Sequence, residues 1–118
     1  MNSEPRFDAP DDVYALHAEV CKLFTSPVRL KMLEVLGKGE RTVEELSKLT
    51  GMSQPNTSQH LSLLRKTGVV RSRREGSNVY YSLRDPRLLD AFNNMKAVLS
   101  DILNDSRATA VRKRVGRV

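Results

Sequence analysis

At 118 residues with a formal charge of +6 and a single cysteine, the chain has room for one compact domain, or for a small domain that completes its core by dimerising. No apolar run approaches the roughly 20 residues that cross a bilayer, and "MNSEPRFDAPDD" lacks the basic start and apolar middle of a signal peptide, so a cytoplasmic protein without membrane contact is expected. Cys21 alone cannot build an internal disulfide, which fits a reducing compartment.

The first predicted helix is capped at Asp8 or Ala9, has Pro10 near its first turn and ends near Thr25, with Val13, Leu16, Val20, Leu23 and Phe24 at helical spacing. Ser26 followed by Pro27 is a cap and first-turn pair, and Leu30, Leu33, Val35 and Leu36 carry a second helix to Gly37. Thr42 and Glu45 are spaced as a capping box for a short third helix, Val43 to about Leu49, which Gly51 stops. Ser53 caps a fourth with Pro55 in its first turn, and Gly68 supplies its exit. Only "TGMS" separates the third helix from the fourth. On the fourth, Thr57, Leu61 and Leu64 share one side and Pro55, Ser58, Gln59, Ser62 and Lys66 lie roughly opposite.

That outward face is built of short amides and hydroxyls where an ordinary solvated face would carry Glu and Lys. Such groups approach base edges closely and bond as donor or acceptor. A short helix, a tight turn and a helix with this face is the helix-turn-helix arrangement. Next, Val69 to Arg74 and Asn78 to Leu83 read as a hairpin turned by Glu75, Gly76 and Ser77, with Val79, Tyr81 and Leu83 on one face. Arg71, Arg73 and Arg74 flank the turn, the form of a wing that lies along a phosphate backbone or enters a minor groove. Asp85-Pro86 then caps a long last helix whose Leu88, Phe92, Met95, Leu99 and Ile102 recur at spacings of four and three. Its stripe is wide for one small monomer. The first and last helices, through Val13, Leu16, Val20, Leu88, Phe92, Met95, Leu99 and Ile102, are therefore candidates for an isologous dimer interface, the alternative being packing onto the chain's own core.

Charge follows the same plan. Between Glu45 and Glu75 there is no acid, while Lys48, Arg65, Lys66, Arg71, Arg73 and Arg74 fall in that window, and "RATAVRKRVGRV" adds five cations and no acid. Expected DNA contacts are Ser53, Gln54, Asn56, Ser58, Gln59, Ser62, Arg65, Lys66, Arg71, Arg73 and Arg74. The chain divides into a flexible segment 1–9, a winged-helix and dimerisation domain 10–104, and a basic tail 105–118, whose order the sequence leaves open and which, even disordered, can add phosphate contacts.

The order helix, helix, helix-turn-helix, wing, helix resembles the ArsR/SmtB family of winged-helix repressors over about Val13 to Leu103. The likeness is carried by "SPVRLKMLEVL", "GMSQPNTSQHLSLLRKTGVV" and "RREGSNVYYSL". It implies a homodimer that places Gln54, Ser58 and Gln59 near bases in successive major grooves of an inverted repeat, with Arg73 and Arg74 serving the wing. Both metal motifs of the family are missing: the paired cysteines of thiolate sensors are replaced by Thr42 and Glu44 in "TVEEL", and Pro86 to Asn104, where zinc sensors place Asp and His pairs, has no histidine. His17 and Cys21, one turn apart, remain as a possible sensor pair, set against the reading of Cys21 as a small buried hydrophobe. His60 reads as structural, and Tyr80 and Tyr81 as wing and core packing. There is no phosphate-cradling glycine loop and no catalytic constellation, so neither an enzyme nor a bound cofactor is expected. The overall expectation is a mainly α, winged helix-turn-helix transcriptional repressor of double-stranded DNA with its effector unidentified. The alternatives are a redox- or metal-responsive switch through Cys21, a protein-interaction module, and an architectural DNA binder.

Overall fold

Residues 6–105 and 109–116 are described by the structure, a computed structural model. Helices α1 (Asp11–Leu23), α2 (Pro27–Gly37), α3 (Val43–Thr50) and α4 (Gln54–Lys66) precede strands β1 (Val70–Glu75) and β2 (Asn78–Leu83), and α5 (Pro86–Asn104) and α6 (Thr109–Val115) follow. Side-chain caps start four of these helices. Ser26, Ser53 and Asp85 each accept a backbone N–H of the first turn. Thr42 and Glu45 form the complete capping box: Thr42 Oγ1 accepts from the Glu45 N–H at 3.2 Å, and Glu45 Oε1 accepts from the Thr42 N–H at 3.4 Å. At α1 the cap is Pro10, with no side-chain bond, in place of Asp8 or Ala9.

The core is a cluster of Met32, Leu33 and Leu36 from α2, Leu46 from α3, Leu61 and Leu64 from α4, and Val69 and Val70 at the entry to β1. Val20, Leu23 and Phe24 reach it from the end of α1, Tyr81 and Leu83 from β2, and Leu88 and Phe92 from α5. Phe24 and Phe92 meet edge to face, with centroids 5.1 Å apart. Thus Val20, Leu88 and Phe92 are partly buried within the chain, whereas Val13, Leu16, Met95, Leu99 and Ile102 stay exposed. Gly51 closes α3 in the left-handed conformation at φ +75°, which a side chain would oppose, and the chain turns directly into α4.

Four details add to or change the sequence reading. Glu75 belongs to β1, paired with Asn78, so the hairpin turn is the two residues Gly76 and Ser77, with Gly76 at φ +61°. Arg41 adds a one-residue bridge to the free edge of β2, its N–H donating to Tyr81 O at 3.0 Å and its carbonyl accepting from the Tyr81 N–H at 2.8 Å. Cys21 is exposed, because only the last turns of α1 reach the core and Cys21 faces away from it. The tail contains α6, anchored where Arg112 donates to Leu103 O near the end of α5. Arg107 and Arg117 of that tail, and residues 1–5 of the N-terminal segment, lie outside the described residues.

Candidate nucleic-acid interface

Helix α4 has two chemically opposite faces. Thr57, Leu61 and Leu64 are fully buried, while Gln54, Pro55, Asn56, Ser58, Gln59, Ser62, Arg65 and Lys66 are exposed. Hydrogen bonding separates the faces further. The hydroxyls of Ser47, Thr50, Thr57 and Thr67 each donate to a backbone carbonyl at 2.7–2.9 Å within α3 or α4 or at the exit of α4. Among the described residues, the side chains of Gln54, Asn56, Ser58, Gln59 and Ser62 bond to nothing. They are donors and acceptors held on a rigid rod and directed to solvent, which is what reading base edges requires. Ser53 differs from them: its hydroxyl caps the helix through the Asn56 N–H at 3.2 Å. Arg65 and Lys66 follow in the last turn and, with Ser62, line a shallow recess suited to a phosphate.

The wing stands beside this helix, and its three arginines are not equivalent. Arg71 and Arg74 are exposed and have no acid within ion-pair distance among the described residues. Arg73 is held: its Nε and Nη2 donate to the two carboxylate oxygens of Glu40 at 2.7 and 3.0 Å, and its Nη1 donates to Glu75 at 2.8 Å. The same guanidinium lies 4.6 Å from the centroid of the Tyr80 ring. Bonding to Arg73 holds the Glu40 carboxyl below its ordinary range, and the two acids keep the guanidinium charged.

One half-buried contact ties α4 to the domain. Arg29 of α2 donates from Nε to His60 Nδ1 at 2.8 Å and from Nη1 to the Leu23 carbonyl at 3.2 Å, joining α2, α4 and the end of α1. Accepting at Nδ1 requires a neutral ring. Burial, and then the nearby Arg29 charge, pushes the His60 pKa down from 6.5. A histidine whose folded pKa lies below its unfolded value binds its proton more readily in the unfolded chain, so stability is full above about pH 7 and falls as pH drops through 6.5 and below. Thermal melts from pH 7.5 to 5.5 should therefore show a declining midpoint in the native chain and a flatter profile in His60→Gln; parallel profiles would remove His60 as the cause.

The possible sensor pair gains no third ligand. His17 and Cys21 are both exposed on α1, and among the described residues no three His, Cys, Asp or Glu side chains gather as a metal site. On the same side of the molecule, a groove of about 880 Å³ runs between α1, the start of β1 and the start of α5, floored by Val13, Leu16, Val20 and Leu88. Asp85 at its edge pairs with Arg87 and has its pKa pushed down to about 2, chiefly by that contact.

A helix-turn-helix whose second helix presents free polar groups, followed by an arginine-bearing hairpin, defines a winged helix-turn-helix DNA-binding domain. Known proteins agree with this. The pattern for "Bacterial regulatory protein, arsR family" matches residues 26–72, from the cap of α2 into β1. The chain is 36% identical to the HTH-type transcriptional regulator Rv0081 of Mycobacterium tuberculosis over 98% of this chain and 96% of that one. The crystal structure of Rv0081 superposes with a TM-score of 0.73 at 35% identity, covering 81% of this chain and 97% of that chain. A homodimeric winged helix-turn-helix fragment of Mb0332 from Mycobacterium bovis superposes with a TM-score of 0.71 at 30% identity, over 83% and 91% of the two chains. A probable mercury resistance operon repressor of Streptomyces lividans is 38% identical over 71% of this chain and 67% of its own length. The chain belongs to the arsR family of bacterial transcriptional regulators.

Proposed function

We propose that the protein is a homodimeric repressor that binds an inverted-repeat operator in the cytoplasm and blocks transcription by occupancy. The observation that carries this reading is the set of unbonded amides and hydroxyls on the outward face of α4, beside the cations of its last turn and the wing. Arg65, Lys66, Arg71 and Arg74 supply affinity through phosphates, while Gln54, Asn56, Ser58, Gln59 and Ser62 supply discrimination. Ser53 sets the start of the reading helix. Duplication of the site comes from the apolar surface left open: no residue of α1 is buried in the single chain, and Met95, Leu99 and Ile102 of α5 lie exposed along one stripe. A second copy covering both helices places two α4 helices on one side of the dimer, as a two-fold operator demands. Relatives named as repressors and the homodimeric Mb0332 fragment support the same assignment.

Selection of genomic fragments by the purified protein at near-physiological salt, with competitor DNA in excess, should retain a recurrent inverted repeat with half-sites about one helical turn apart. On that operator, Gln59→Ala should lower discrimination at one position per half-site by about 1–3 kcal/mol and leave binding to random DNA nearly unchanged. Equal weakening on both DNAs would reassign Gln59 to general contact.

A further inference from the structure

The charge on the wing is arranged against one of its own arginines. Arg73 sits between Glu40 and Glu75, so the three side chains together carry a net charge of −1 on the outer face of the hairpin. All three are partly solvent-exposed, at 50%, 41% and 69% of side-chain area, and isolated pairs so exposed hold weakly. This set is not an isolated pair. One guanidinium fills three bonds at 2.7–3.0 Å, two of them a parallel fork on Glu40, and covers the Tyr80 ring. Tyr80 is the register partner of Arg73 across the hairpin, and Glu40 is fixed in place by the ladder that its neighbour Arg41 makes with Tyr81. The guanidinium thus reaches from β1 over β2 to Glu40 beside the Arg41 bridge, tying the wing to the loop before α3.

A phosphate that recruited Arg73 would have to replace a forked carboxylate of comparable strength while approaching a second carboxylate of its own sign. Neither step favours the exchange.

On the reading that this is a DNA-binding wing, we propose that Arg73 is a positioning residue that stays on Glu40 and Glu75 in the DNA complex, and that these two acids raise operator selectivity by withholding one sequence-blind phosphate contact. Arg71 and Arg74, which make no ion pair among the described residues, are the arginines of the hairpin that meet the backbone. The acids subtract nonspecific affinity and leave the base-reading face of α4 untouched, so the ratio of operator to random binding rises.

Salt titration reads this directly, because each phosphate contact adds about 0.9 to the slope of log K against log salt. Arg74→Ala, which removes one contact from each protomer of the dimer, should flatten the slope on random DNA by about 1.8, whereas Arg73→Ala should leave it unchanged. Glu40→Gln with Glu75→Gln should steepen it by about 1.8, one released arginine in each protomer, an additional loss of about 12-fold across a fourfold rise in salt, and should lower the operator-to-random ratio. The same double substitution placed on Arg73→Ala should produce no steepening, which separates a released arginine from the general effect of removing two negative charges. Flattening by Arg73→Ala in the native background, or steepening that persists without Arg73, would overturn the proposal. Absence of salt-dependent DNA binding by the native protein would overturn the regulator reading itself, a result visible before any variant is compared. Melting midpoints near the native value confirm that each variant is folded.

Discussion

Leu99→Glu should yield a folded monomer that binds operator DNA about 10²–10⁴-fold more weakly than the native protein. Leu99 is 48% exposed in the single chain, midway along the outer half of α5, so the substitution removes little intramolecular packing. Glutamate is also a good helix former, and the helix itself should persist. In a two-fold dimer the same change is made twice across one seam, and each carboxylate must lose water against an apolar stripe. Loss of the dimer separates the two reading helices, and with them the gain in affinity that linking two half-sites provides. Sedimentation would report the assembly state and fluorescence anisotropy the affinity. A variant that stays dimeric with native affinity would move the interface off this part of α5.

Leu61→Ala should cost about 2–5 kcal/mol of stability and lower the melting midpoint by about 10–20 °C. Leu61 is fully buried in the cluster from α2, α3, α4 and β1, where surrounding side chains close only partly over a lost volume. Ser62→Ala, one position along, should change stability by less than about 0.5 kcal/mol, since that side chain touches solvent and bonds to nothing among the described residues. Urea unfolding of the pair would measure the contrast. Similar losses from both would contradict the assignment of the two faces.

Features that depend on neighbours in sequence were legible in the sequence. Ser26, the Thr42–Glu45 box, Ser53 and Asp85 all cap the helices they were expected to cap, because a cap is a bond across three or fewer positions. The buried triad Thr57, Leu61 and Leu64 followed from helical spacing alone. Contacts across long separations did not follow. Arg73 read as a free wing cation because its partner Glu40 stands 33 positions earlier, brought close only when Arg41 pairs with β2. The bond from Arg29 to His60 spans 31 positions in the same way. Of the two readings of Cys21, burial beside an apolar stripe is not met, because within one chain that stripe meets the core only through its last residues. The order of the tail is not legible in its composition, because Arg112 ties α6 to the carbonyl of Leu103 across nine positions.

The division of labour on α4 has an evolutionary consequence. Thr57, Leu61 and Leu64 hold the fold, and the outward residues between them carry none of that duty. Mutation can therefore explore Gln54, Ser58, Gln59 and Ser62 without passing through unfolded intermediates, since exposed changes of this kind alter stability by only about 0.5 kcal/mol. A duplicated copy of such a gene is free to acquire a new set of target promoters while its scaffold stays under purifying selection, so lineages built on this helix can diverge in the promoters they recognise faster than in shape.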